Sequence, residues 1–87
     1  MLVFSFRTAI ADVGETITGD PYHPTTTILF DTSEHFISVI VPPEVLAGRG
    51  VLLYPGRHVV VSGEVQGFPG NPVHIASKLE IPNVELH

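Results

Sequence analysis

The segment Thr25-Thr26-Thr27-Ile28-Leu29-Phe30-Asp31-Thr32-Ser33-Glu34-His35-Phe36-Ile37-Ser38-Val39-Ile40-Val41-Pro42-Pro43 carries the strongest conformational signal in the chain. Residues 25–31 are rich in β-branched and aromatic side chains, which suit a pleated, half-buried surface. Asp31-Thr32-Ser33-Glu34 has the composition of a turn, because short polar side chains there can bond to their own backbone. Residues 35–41 form a second apolar run, and Pro42-Pro43 stops it, since proline has no N–H to give a ladder. Two strands joined by so short a turn make an antiparallel hairpin. The turn lacks the usual glycine, with Glu34 or His35 in its place, which leaves the register open by one residue. One register buries Ile37, Val39 and Val41 and turns Phe36, Ser38 and Ile40 outward; the other makes Phe36 a core residue.

Working outward, residues 2–13 alternate, with Leu2, Phe4, Phe6 and Ile10 on one parity and Ser5, Arg7 and Ala11 on the other, as a strand with one buried face requires. Residues 14–24 carry Gly14, Gly19, Asp20, Pro21 and Pro24 and read as a loop, with a short extended piece at Glu15–Thr18. After the hairpin, Pro43-Glu44-Val45-Leu46-Ala47 predicts one helical turn, because proline suits the first helical position and an early acid suits the dipole. Tyr54-Pro55-Gly56 is a tight turn. Residues 57–66 form a fourth strand with Val59, Val61 and Val65 on one face. Gly63 shares that face, which predicts a bend or a close backbone approach. Residues 67–72 (Gly-Phe-Pro-Gly-Asn-Pro) read as a loop. Residues 73–81 form a fifth strand with Val73, Ile75, Leu79 and Ile81 inward and Pro82 ending it. Pairing the last two strands places Glu64 opposite His74 and His58 opposite Glu80.

Eighty-seven residues suffice for one domain, residues 1–87, with a modest core. A chain that opens on Met1 is expected to stand alone rather than as a piece of a larger replication or translation protein. It contains no cysteine, so disulfides and thiolate metal sites are excluded and the redox compartment stays open. No apolar run approaches the roughly 18–20 residues of a spanning helix, and the first residues lack the pattern of a signal peptide. The expectation is a cytoplasmic protein with no membrane partner. The net charge of −5, with Arg7, Arg49, Arg57 and Lys78 as its cations, excludes a broad positive field.

Three strands, a short helical connector and two strands is the order of a small all-β Greek-key barrel. The residues sharpen this. Residues 29–45, from Leu29-Phe30-Asp31 to Pro43-Glu44-Val45, resemble the second hairpin of the oligonucleotide/oligosaccharide-binding (OB) fold running into its helical connector. Tyr54-Pro55-Gly56-Arg57-His58-Val59-Val60-Val61-Ser62-Gly63-Glu64-Val65 resembles the fourth strand of the anticodon-binding and polymerase-associated branch, and residues 72–81 its closing strand. The resemblance covers about residues 25–81. It implies a five-stranded OB-type barrel that binds ligands on the outer face of strands two and three and on flanking loops.

On that face a base can stack on an aromatic ring beside a cation for phosphate. The candidates are Phe36 and Ser38 on the third strand, Phe68 at a loop tip, Tyr22 in the first long loop, and the cations Arg7, Arg49 and Lys78. Each has a plainer reading: Phe36 as core in the alternative register, Phe68 as a loop anchor, the cations as solvated charges. Tyr54 is expected to cover a barrel end, and Phe4, Phe6 and Phe30 to be core. The five histidines show no metal-binding spacing, so neither metal nor cofactor is expected. No nucleophile elbow, phosphate loop or dinucleotide fingerprint occurs, and an enzyme is not expected. Two functions therefore compete. One is binding of single-stranded DNA or RNA; the other is a protein-interaction barrel, either a small subunit or a homodimer that uses Ile40 and Val60 as an exposed apolar surface.

Overall fold

The computed structural model describes residues 2–18, 23–31, 36–68 and 70–82. Five strands, β1 (Leu2–Thr18), β2 (His23–Asp31), β3 (Phe36–Val41), β4 (His58–Phe68) and β5 (Asn71–Glu80), close into a barrel in the order β1-β2-β3-β5-β4. A four-residue helix, α1 (Pro43–Leu46), and a 3₁₀ turn at Gly50–Leu52 link β3 to β4. This is the architecture the sequence predicts.

β1 is long enough to serve two neighbours. Leu2 to Ala9 pairs with β4, and Ile10 to Thr18 pairs with β2. Between the two ladders Ala11 is an extra residue, a bulge that bends the strand and reverses its inward parity. Ile10 is therefore buried and Val13, not Asp12, packs next against the core. Phe4 and Phe6 lie half-buried against the core, whereas Leu2 is 69% exposed and departs from its expected inward row. The expected loop at residues 14–24 is shorter than composition suggests. β1 continues through Gly14 to Thr18 and β2 starts at His23, the two strands pairing along this whole length. Tyr22 lies outside the described residues.

β2 and β3 pair from Thr26↔Val41 to Asp31↔Phe36. Ile28, Phe30, Val39 and Val41 are fully buried, so the register is the one that turns Phe36 outward. Val59 and Val61 of β4 and Leu79 of β5 complete the core with Ile10, Leu53 and Ala76. α1 forms over Pro43–Leu46 as predicted, with Val45 and Leu46 packed against the core. It stops where Ala47 and Gly48 both turn left-handed, at φ 51° and 73°.

The β4–β5 hairpin corrects the sequence reading in three ways. The expected loop at residues 67–72 is a tight connection between Phe68 and Asn71, with Gly67 at φ 98°. A bulge at Ser77, between the pairs Gly63↔Ala76 and Ser62↔Lys78, splits the inward row of β5. Ala76 and Leu79 are buried, while Val73 and Ile75 are half-buried on the other parity. The tighter turn also moves the register: His74 lies opposite Val65, Glu64 opposite Ile75, Glu80 opposite Val60, and His58 pairs with Ala9 of β1.

Gly63 sits at this bulge, and the close approach expected there is real. A Cβ at Gly63 would collide with the Ile75 carbonyl oxygen and lie 2.9 Å from the Ala76 Cα. Both obstacles are backbone, which cannot swing aside. Gly63→Ala is expected to destabilise the barrel by about 3 kcal/mol, whereas Gly14→Ala, in open space, should change stability by less than about 1 kcal/mol. Urea unfolding of the two variants checks the contrast, and equal midpoints would contradict it.

Candidate ligand-binding face

Phe36 and Ser38 project outward from β3, and Phe36 is 61% exposed. Alternation from the buried Val39 and Val41 forces this orientation, because neighbours on a strand face opposite sides. Beside them the barrel is least tightly sewn. β3 and β5 run parallel and pair at only two positions, Val39↔His74 and Ile40↔Ile75. Pro72 lies on β5 before that ladder, opposite Gly67 of β4. The two strands diverge there, and a pocket of about 170 Å³ opens between Phe36, Ile37, Ser38, Pro72 and His74.

His74 points into the barrel mouth rather than onto the outer sheet face. Its ring stands 5.1 Å from that of Phe4, edge-on, and 6.0 Å from that of Phe6. Phe6 in turn approaches Phe30 at 5.9 Å, so an aromatic column runs from the pocket into the core. The pocket is thus a ring, a hydroxyl, a proline and an imidazole around a small apolar hollow. It can hold a planar or apolar group. Its described lining contains no Lys or Arg.

Sequence reasoning named Phe36 and Ser38 and missed Pro72 and His74. The misplaced β4–β5 register and the parallel pairing of β3 with β5 hid them. Of the other candidates, Phe68 is described in its backbone alone, at the end of β4 opposite Asn71.

The cations lie elsewhere. Arg49 donates from Nε to the Leu46 carbonyl at 3.1 Å, from Nη2 to the Val45 carbonyl at 2.8 Å and from Nη1 to the Leu79 carbonyl at 3.1 Å. One guanidinium thus caps α1 and ties it to the end of β5, which is a fastening role. Arg57 donates to the Tyr54 hydroxyl at 2.8 Å and lies over its ring. Tyr54 itself is half exposed on a turn held to β1 by Gly56 N to Ile10 O, at 2.8 Å.

Lys78 pairs with Glu80 at 2.9 Å on the outer face of β5. Arg7 faces the same spot from β1 through the row Arg7↔Val60↔Glu80. The hydrogen bond and charge of Lys78, with the charge of Arg7 adding to them, hold the Glu80 carboxyl below the ordinary 4.5. Two of the expected phosphate contacts therefore do converge, but on a carboxylate and on the β1–β4–β5 face.

The strand order, the shared β1 and the helix between β3 and β4 define an OB-type barrel. Among solved structures, that of the S. pombe Stn1-Ten1 complex contains a chain that superposes with a TM-score of 0.69 and 18% identity. The match covers 95% of this chain and 60% of that one, a likeness of fold. No protein-family model and no curated protein matches the sequence.

Two predictions follow from the charges. Arg49→Met should cost about 2 kcal/mol, because three carbonyls lose a charged donor; Arg49→Lys should restore only part, since one ammonium cannot reach all three. Denaturant unfolding reads both. A depressed Glu80 favours folding above pH 4.5, and that contribution disappears as pH falls through the lowered folded value. An NMR titration should find the Glu80 midpoint below 4.5 and moved back toward it in Lys78→Met; identical midpoints would remove the assigned cause.

Proposed function

We propose that this barrel is a binding module whose partner is a protein. One observation carries the reading: the chain's four cations are each engaged on its own surface, away from the Phe36 pocket. Arg49 is fastened to carbonyls, Arg57 to Tyr54, and Lys78 and Arg7 face Glu80. Affinity for a phosphate backbone comes largely from Lys and Arg displacing counterions. With a net charge of −5 and no Lys or Arg in the pocket's described lining, that contribution is small. A protein surface asks for different features, namely an exposed aromatic anchor beside a hollow with a few polar groups at its rim. Phe36, Ser38, Pro72 and His74 supply them. The structural neighbour is likewise part of a complex between two proteins. Ile40 and Val60, the apolar residues expected to carry a homodimer, are both half-buried.

A second reading keeps single-stranded DNA or RNA as the ligand. It is favoured by Phe36, an exposed ring on the face that OB barrels use for bases. In that reading Phe36 stacks a base, Ser38 bonds its edge, and Arg7, Arg49 and Lys78 must release their present partners to reach phosphate. Both readings describe binding without catalysis.

A photo-crosslinking phenylalanine analogue at position 36, activated in the cells that make the protein, separates the two. Crosslinks to a discrete protein are expected, together with no anisotropy change of labelled oligo(dT) or oligo(U) at about 50 mM salt. Crosslinks to nucleic acid, with oligonucleotide affinity lost in Phe36→Ala, would replace the first reading with the second.

A further inference from the structure

A second concavity lies on the far side of β5 from the Phe36 pocket. It is a groove of about 320 Å³ between α1 and the outer surface of β4 and β5. Its walls carry two carboxylates, Glu44 from the first turn of α1 and Glu64 from β4, and its floor is apolar, with Val45 and Ile75. Gln66 and Ser77 stand at the rim, and no Lys or Arg lines it among the described residues. The Ser77 bulge shapes this groove, because the extra residue turns Ala76 inward and lifts Ser77 and Ile75 onto the outer side. Gln66 Nε2 donates to Glu64 Oε2 at 3.4 Å, which leaves most acceptor positions of that carboxylate open. On β1, Val3 lies opposite Glu64 and is 71% exposed, so apolar surface continues beyond the acidic wall.

We propose that this groove docks a basic, partly apolar peptide segment of the protein partner. One Lys or Arg side chain lies with its methylenes over Ile75 and Val45 and its cation between Glu44 and Glu64. The inference rests on the protein-partner reading above and names the partner's chemistry and seat. Charge complementarity selects the occupant: long cationic side chains combine an apolar stem with a charged head, and this groove has an apolar floor with acidic walls. Arginine fits best, because its planar fork can bridge two carboxylates. The net charge of −5 steers such a segment toward the chain before contact.

The probe is a fluorescein-labelled peptide of alternating arginine and leucine, with a glutamate–leucine repeat as control. Titration into the ¹⁵N-labelled full chain at about 50 mM salt should shift the amides of Glu44, Val45, Glu64, Ile75 and Ser77. Glu44→Gln/Glu64→Gln should weaken binding roughly tenfold, while Phe36→Ala leaves it unchanged. Circular dichroism confirms that the variants fold. Failure of the arginine peptide to bind, shifts confined to Phe36, Pro72 and His74, or affinity unchanged in the double variant would each overturn the proposal. The partner reading fails separately, by crosslinking of position 36 to nucleic acid, which the peptide titration does not read.

Discussion

β4 can lie against β5 only because one position in it has no side chain. At Gly63 the two backbones come so near that even a methyl group meets the Ile75 carbonyl, and the bulge at Ser77 falls at the same point. That approach bends the hairpin enough for β4 to reach β1 on one side while β5 reaches β3 on the other. It also sets which β5 residues enter the core, since parity reverses at Ser77 and brings in both Ala76 and Leu79. The two concavities described above inherit their lining from this arrangement. His74 turns toward the barrel mouth before the bulge, and Ser77 rises onto the groove at it.

Sequence alone shows most of the fold, and its errors have a common cause. The hairpin of residues 25–41 is legible because alternating Ile28, Phe30, Val39 and Val41 match a half-buried sheet, and Pro42-Pro43 marks its end. α1 is legible from a proline, an acid and a glycine in the right order. The misreadings cluster where one extra residue slips the count. Ala11 in β1 and Ser77 in β5 each reverse a row of side chains, and neither residue type announces a bulge. The close pairing of Phe68 with Asn71 is hidden by a glycine- and proline-rich run that reads as a longer loop. The candidate face is legible only in half: Phe36 and Ser38 follow from alternation within one strand, whereas Pro72 and His74 reach it through a parallel pairing that local pattern does not encode.

The distribution of charge separates the barrel's fold from its use. A sequence with four cations offers four phosphate contacts on paper, but the fold commits Arg49 to holding α1 against β5, and gathers Arg7 and Lys78 about Glu80. Of the two hollows described, one is lined by an aromatic ring and an imidazole and the other by two carboxylates, on either side of β5. The proposal of a protein partner rests on those two surfaces, which β5 separates.

The ladder between β3 and β5 has two rungs, and it is the shortest seam in the barrel. Thermal opening of a closed sheet begins at its least-sewn edge, so this seam is where the cylinder unzips first. Phe36 and Pro72 stand on its two lips. A ligand bridging both lips would act as a clasp and slow the parting of the sheet.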